Sequence, residues 1–379
     1  MVPVQGAGGR PSRGREASCA MRALILIVAV TALLAVPATA AARPVYGVVP
    51  QDGGLPMGKD LKRMARGGVS SVRLVMHWPS VEPEPGQYRW ASTDEVMRQA
   101  VRHHIQPFFF LSGTPEWAAR QDGHNCTFTG CWNFAPSSPA TRTAFANFAA
   151  GAVARYGPGG GFWAENPTVG PSPIRTWQIW NEQNSPKYFA PQVDVGQYAA
   201  MLGAAGDAIH GVDPGASVVL GGMWGPTSAS DVVTPVTTYL RQLYAIAGAR
   251  DYFDAIALHP YSSSVQRSVG QIKGAREVLK QEGDAQIGTW ITEIGWSSDG
   301  PQGNPYVKGT TGQAKTLSSA LGAYANNRRS FKLRGVFWYS WRDRRGGNAI
   351  CKWCAHAGLR ARDGSAKPAW KAFAAVARR

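Results

Sequence analysis

Two glutamates stand where apolar runs break. Trp177-Gln178-Ile179-Trp180 leads into Asn181-Glu182, and Trp290-Ile291-Thr292 leads into Glu293-Ile294-Gly295-Trp296. The two lie 111 residues apart. If each run is a strand, each carboxyl emerges at a strand end. A facing pair of carboxyls is suited to glycosidic bonds: one meets the oxocarbenium-like centre and the other protonates the leaving oxygen. A gap of about 5–5.5 Å implies a covalent intermediate and retention, and a wider one admits water and implies inversion. Sequence does not contain that distance.

Other groups compete for the role. Glu82, Glu84, Glu116, Glu165, Asp299 and Asp343 are further carboxylates. Proline-rich surroundings make Glu82 and Glu84 loop residues, and Asp343 is the best reserve. Trp117, Trp132, Trp224, Trp296 and Trp341 fall in or near connecting segments, where an aromatic face either stacks on a sugar or packs the loop. A metal-dependent hydrolase needs histidine clusters at strand ends. The chain has seven His, and His103 and His104 sit in a helical pattern. No metal or other cofactor is therefore expected.

The elements that must position the glutamates alternate along the chain. Strand patterns cover 45–49, 71–76, 106–111, 175–180, 217–220, 253–258, 287–292 and 333–340. Helical patterns cover 92–104, 141–156, 195–210, 233–247, 265–282 and 311–326, with a last helix at 368–375. Eight strands alternating with helices over one chain predict an α/β fold, the (β/α)₈ TIM barrel. Its βα connections build the active site, and 112–140, 222–232 and 296–310 are the long ones. A doubly wound sheet would want a glycine-rich phosphate loop, for which Gly221-Gly222 is too weak a signal.

The first 42 residues read as a secretory signal peptide: Arg10, Arg13, Arg15 and Arg22, an apolar run from Ala23 to Val36, then Ala38-Thr39-Ala40. Cleavage is expected after Ala40 or Ala42, and residues 43–379 form the single catalytic domain. The run spans 14 residues, short of the roughly 20 that cross a bilayer. Retention as an anchor, a cell-surface location and a start at Met21 stay open. Cys19 precedes the run and is not placed for lipid attachment. Cys126, Cys131, Cys351 and Cys354 remain, an even set that reads as two disulfides in an extracellular protein. Local pairing, Cys126–Cys131 and Cys351–Cys354, is expected among the three possibilities. A zinc reading of Cys351-x-x-Cys354 finds only His356 nearby.

The chain carries a net charge of +16; without the leader 36 basic and 23 acidic residues remain, a net +13. Such a balance favours anionic partners, acidic polysaccharides among them. The cations are scattered and no nucleic-acid motif accompanies them, so nucleic acid is not an expected partner. A monomer is expected.

The ordered set of motifs resembles clan A of the glycoside hydrolases, most nearly families 39 and 5, with their cellulase- or xylosidase-like enzymes. The likeness rests on Trp180-Asn181-Glu182, Thr292-Glu293, Arg73 at the end of the second strand, and the run Trp78-x-x-Val81-Glu82-Pro83. Gly86-x-Tyr88-x-Trp90, His259-Pro260-Tyr261, Trp338, Gly358-Leu359, Asp363-Gly364 and Lys367-Pro368-Ala369-Trp370 complete it. The resemblance implies that Glu182 is the acid/base, Glu293 the nucleophile, and Asn181 the partner of the sugar 2-hydroxyl. It also implies that Tyr261 or His259 holds Glu293, that Arg73 lies beneath Glu293 and keeps it ionised, and that Trp338 floors the sugar subsite. Trp296 is a further candidate for sugar contact. Retention is the implied outcome.

Under that division Glu182 must be protonated first, so its pKa must lie above that of Glu293. A cation near Glu293 and none near Glu182 would split them so. The competing reading is a carbohydrate-binding or cell-wall-associated barrel without catalysis, which would keep the tryptophans and need only one of the carboxylates. The sugar, the linkage and the choice of exo or endo action are not written in these motifs.

Overall fold

The computed structural model describes residues 43–50, 58–126, 130–225, 233–345 and 351–379. The expected leader lies outside them. Eight parallel strands close into a barrel in chain order: β1 (Val45–Val49), β2 (Ser71–His77), β3 (Gln106–Ser112), β4 (Thr176–Asn181), β5 (Ser217–Trp224), β6 (Ala255–His259), β7 (Gly288–Ile294) and β8 (Leu333–Tyr339). β8 closes on β1 through Gly335 opposite Val45 and Tyr339 opposite Val49. The strands are rich in Val, Ile, Phe and Trp, as burial on both faces of a parallel sheet requires. This is the (β/α)₈ fold that the alternation predicts.

The outer ring holds α1 (Gly58–Arg66), α2 (Ala91–Arg102), α3 (Pro139–Tyr156), α4 (Val195–Val212), α5 (Val236–Tyr244), α6 (Val265–Gln281), α7 (Gly309–Asn326) and α8 (Pro368–Ala377). Their starts follow capping chemistry. Ser138, Asp194 and Ser264 accept the N–H of Thr141, Gln197 and Arg267, and Pro139 and Pro368 open their helices. α1 is missing from the sequence reading, and α5 is shorter than expected. No helix among the described residues is long and apolar enough to cross a membrane.

Strand alternation divides the core in two. Val49, Phe108, Val219, Ala255, Ala257 and Phe337 form a cluster of their own inside the barrel. Phe337 reaches across because β1 carries Gly47, where a Cβ would lie 2.3 Å from the Phe337 ring. The opposite faces join the large core between strands and helices, Trp177, Trp338 and Trp296 included.

Both expected disulfides are present, with Cα–Cα separations of 4.9 Å for Cys126–Cys131 and 5.3 Å for Cys351–Cys354. Pairs of this kind belong to oxidising surroundings. A buried ion pair locks α2 to α3: Arg155 grips Asp94 with Nε and Nη2 at 2.8 and 2.6 Å, and the Tyr156 hydroxyl donates to the same carboxylate at 2.8 Å. Asp94→Ala leaves the buried Tyr156 hydroxyl without its acceptor while Arg155 keeps Glu165 at 2.8 Å, and the expected cost is about 1–3 kcal/mol, read by urea titration. A loss below about 0.5 kcal/mol, the range of a neutral surface change, would show that the pair does not hold the helices.

Candidate active site

The site is organised from below by Arg73. It lies in the middle of β2 rather than at its end, and it is buried. Its three side-chain nitrogens each find an acceptor. Nε donates to Gln178 at 2.8 Å, Nη2 to Asn181 Oδ1 at 2.7 Å and Nη1 to Glu293 Oε1 at 2.6 Å. The guanidinium lies over Phe110, 4.1 Å from the ring centroid. Burial pushes the pKa of Arg73 down and Glu293 pushes it back up; a guanidinium stays charged throughout. Because Asn181 gives its oxygen to Arg73, its amide hydrogens are left to face the cavity.

Glu293, near the end of β7, has both oxygens engaged. Arg73 holds Oε1, and the Tyr261 hydroxyl donates to Oε2 at 2.9 Å. Glu182 follows the last residue of β4 and has a different setting. His259 Nδ1 sits 2.8 Å from its Oε1. His259 Nε2 is 3.8 Å from Glu293 Oε1 and has no hydrogen-bond partner. Burial drives the His259 pKa down to about 3, so the ring is neutral and offers one N–H. Burial also lifts Glu182 to about 7, against the opposing pull of Lys187 and Arg73.

The backbone that delivers Glu182 is strained. Trp180 and Glu182 have φ of 71° and 47°, a region that non-glycine residues enter at a cost and that clusters at functional sites. Three contacts hold it: the Trp180 indole donates to the Tyr188 carbonyl at 2.7 Å, the Glu182 N–H to the Gly222 carbonyl at 3.0 Å, and the Ser185 N–H to the Glu182 carbonyl at 2.9 Å. Gly222 also makes room for His259, since a Cβ there would lie 2.0 Å from Nε2. The Gly221-Gly222 pair therefore serves the packing of side chains: a Cβ on Gly221 would lie 2.1 Å from the Gln183 side chain.

Above the two glutamates opens a cavity of about 200 Å³. Asn181, Glu182, Tyr261 and Glu293 form its reactive end, and Trp224, Tyr306, Tyr339 and Trp353 are among its aromatic walls. Trp353 stacks on Tyr306 at 4.9 Å between ring centroids and meets Tyr261 edge-on at 5.6 Å. The Cys351–Cys354 disulfide brackets it.

One oxygen of Glu182, one of Glu293 and a nitrogen of His259 all lie within 4.8 Å of one another. That spacing could suit a cation. The charge of Arg73, 2.6 Å from a Glu293 oxygen, opposes one there, so the donor set fits a carboxylate pair better than a metal centre.

Several expectations change. His259 partners Glu182, and of the two expected holders it is Tyr261 that donates to Glu293. Trp338 does not floor the cavity: it is fully buried, and its indole donates to the Ala357 carbonyl at 3.0 Å. Its neighbour Tyr339 lines the cavity instead, because adjacent strand residues face opposite sides. Trp296 is likewise buried, bonded to the Ser262 carbonyl at 2.9 Å and packed against Trp338. Of the loop tryptophans read from sequence, Trp224 lines the cavity. A cation, Lys187, does stand near Glu182. Asp343 is occupied by Lys367 at 3.0 Å and by the Gly358 N–H at 2.8 Å. Glu82 binds the Trp78 indole and the Gly86 N–H. Lys187, Tyr188, Tyr306 and Trp353 were missed, and the only hint of them was an aromatic-rich loop composition.

No protein-family model and no curated protein matches the chain. Solved structures match its fold. A family 39 glycoside hydrolase from the gut symbiont Bacteroides cellulosilyticus aligns with a TM-score of 0.64 and 22% identity, over 88% of this chain and 64% of that one. A GH5_18 protein of Bifidobacterium longum, in complex with Manb1-4GlcNAc, gives 0.61 and 14% over 89% and 78%. A monomeric beta-xylosidase of Caulobacter crescentus gives 0.57 and 18% over 88% and 69%. These are the two families that the sequence motifs resemble. The chain spans under two thirds of the first structure's length, and at these identities the shared property is the barrel.

The dependence of His259 on Gly222 is testable. Gly222→Ala should cost about 1–3 kcal/mol, as overpacking of a tight interior does, and a crystal structure of the variant should show the imidazole moved off Glu182. An unmoved ring at unchanged stability would disprove the fit.

Proposed function

We propose that this chain is a retaining glycoside hydrolase acting on an oligo- or polysaccharide, with Glu293 as nucleophile and Glu182 as acid/base. The observation that carries the reading is the closeness of the two carboxylates, which have oxygens within 4.8 Å of each other. Retaining enzymes hold their carboxyls about 5–5.5 Å apart, and inverting ones leave roughly 6.5–9.5 Å for a water. The opposed surroundings of the pair support the assignment of roles.

Glu293 lies against the Arg73 guanidinium, 2.6 Å from Nη1. It attacks the anomeric carbon while the bond to the leaving oxygen breaks and Glu182 gives that oxygen its proton. The negative charge of Glu293 is consumed in the new ester, and Glu182 is left ionised. A neutral His259 with its proton on Nδ1 then donates to Glu182 Oε1 and steadies the carboxylate. Glu182 takes a proton from water, the water oxygen bonds to the anomeric carbon, and Glu293 departs as carboxylate. Asn181, its oxygen held by Arg73, is placed to donate to the sugar 2-hydroxyl. Tyr339, Tyr306, Trp224 and Trp353 offer faces for sugar C–H groups.

The two disulfides support an extracellular location, with residues 1–42 as the export leader and 43–379 as the catalytic unit. Burial raises Glu182 to about 7, so a proton donor is available up to neutral pH. The acid must be protonated to act, so kcat/KM should fall as pH rises through about 7. A flat profile to pH 9 would remove Glu182 from the acid role.

A panel of aryl glycosides and polysaccharides tests the pair. Glu293→Gln should abolish turnover. Glu182→Gln should lose about 10²–10⁴-fold on poor leaving groups, keep more on activated aryl leaving groups, and recover with azide. Full activity of Glu293→Gln would end the nucleophile assignment. Glycan binding by a wild type that cleaves nothing would make the barrel a binding module.

A further inference from the structure

Among the described residues, three charged side chains line the cavity. Two are the carboxylates just assigned, and the third is Lys187. Its position is built rather than incidental. The turn after β4 is pinned to the β3–α3 connection: Asn133 donates from Nδ2 to the Lys187 carbonyl at 3.2 Å and accepts the Ala190 N–H at 2.8 Å. Next to it the Tyr188 carbonyl takes the Trp180 indole, and Trp132 packs edge-on against the Tyr188 ring at 5.8 Å. The ammonium itself lies 4.8 Å from the Tyr188 centroid.

That ammonium is half-buried and forms no ion pair among the described residues; Glu182 has the neutral His259 ring as its hydrogen-bond partner. Partial burial of an unpaired ammonium is unfavourable, and a bound anion would relieve it. Burial lowers its pKa, and Glu182 is the charge that opposes this. Lys187 thus lines the same cavity as Glu182, the group that protonates the leaving oxygen in the proposed mechanism. Exposed Lys352 lies in sequence between the wall residues Cys351 and Trp353. The net charge, +13 without the leader, would draw acidic polymers toward it.

We propose that Lys187 is a specificity residue for a carboxylated sugar, so that the substrate is an acidic glycan with a uronate on the leaving-group side. A single ammonium without an arginine fork suits a monoanion better than a phosphate, which favours bidentate donors or several cations. The inference rests on the reading of this cavity as a sugar site, but its test reads binding, so it fails or holds separately from hydrolysis.

Calorimetric titration with D-glucuronate, D-galacturonate, D-glucose, D-galactose and glucose 6-phosphate provides that test. Wild type should bind at least one uronate about tenfold more tightly than its neutral counterpart, a difference of about 1.4 kcal/mol. Lys187→Gln should bring that ratio to about one, Lys187→Glu should invert it, and Lys187→Arg should retain most of it. Equal affinity for uronates and neutral sugars in wild type, or an unchanged ratio in Lys187→Gln, would overturn the proposal. Tighter binding of glucose 6-phosphate than of either uronate would overturn the carboxylate assignment. Loss of hydrolysis in wild type with the binding ratio intact would defeat the glycosidase reading and leave the subsite standing.

Discussion

A guanidinium sealed inside a barrel has to be answered on every donor, because an unpaired buried charge is among the costliest things a fold can contain. Arg73 meets that demand by recruiting three acceptors from two strands. Gln178 and Asn181 come from β4 and Glu293 from β7, so one cation sets the relative position of strands on different sides of the barrel mouth. The orientation of Asn181 and the placement of the Glu293 carboxyl follow from the same group. Replacing Arg73 would therefore disturb more than a single contact, and Lys, with one nitrogen, could not span the three.

The two glutamates differ through their neighbours and not through their chemistry. Glu293 rests on a cation and a tyrosine hydroxyl, whereas Glu182 is enclosed and touches a neutral imidazole. The enclosure depends on small features elsewhere. Gly222 on β5 vacates the volume that the His259 ring fills, and strained backbone at Trp180 and Glu182 turns the carboxyl inward. Each belongs to a different strand or strand end, so the asymmetry is a property of the closed barrel.

Much of this was legible before any coordinates. Alternating strand and helix patterns located the barrel, and Glu182 and Glu293 announced themselves because a carboxylate at the end of an apolar run has few structural reasons to be there. What failed was phase. Val336-Phe337-Trp338-Tyr339 is apolar throughout, so nothing in it marks which residues face inward, and a shift of one position put Trp338 where Tyr339 belongs. Trp296 failed similarly, since a tryptophan just past a strand end packs inward or outward with equal ease. Lys187 lies in a connection whose path follows a distant tether, Asn133, and Trp353 in one that a local disulfide brackets. Helix α1 opens with Gly58-Lys59-Asp60, which carries little apolar period. The exchange of partners at His259 was invisible because ring position depends on the missing side chain of Gly222, on the neighbouring strand but 37 residues away in sequence.

The enclosure of Glu182 also links its proton to the folding equilibrium. An unfolded glutamate loses its proton near pH 4.5, and the folded one holds it to about 7. Between those values the native chain binds a proton that the unfolded chain has released, so this residue's contribution to stability is complete below the lower value and is lost as pH climbs through the upper one. Each pH unit inside the window is worth about 1.4 kcal/mol. The carboxyl that would serve as proton donor is thus the one whose ionisation the fold resists, and readiness to give up a proton and cohesion of the native state draw on the same buried volume.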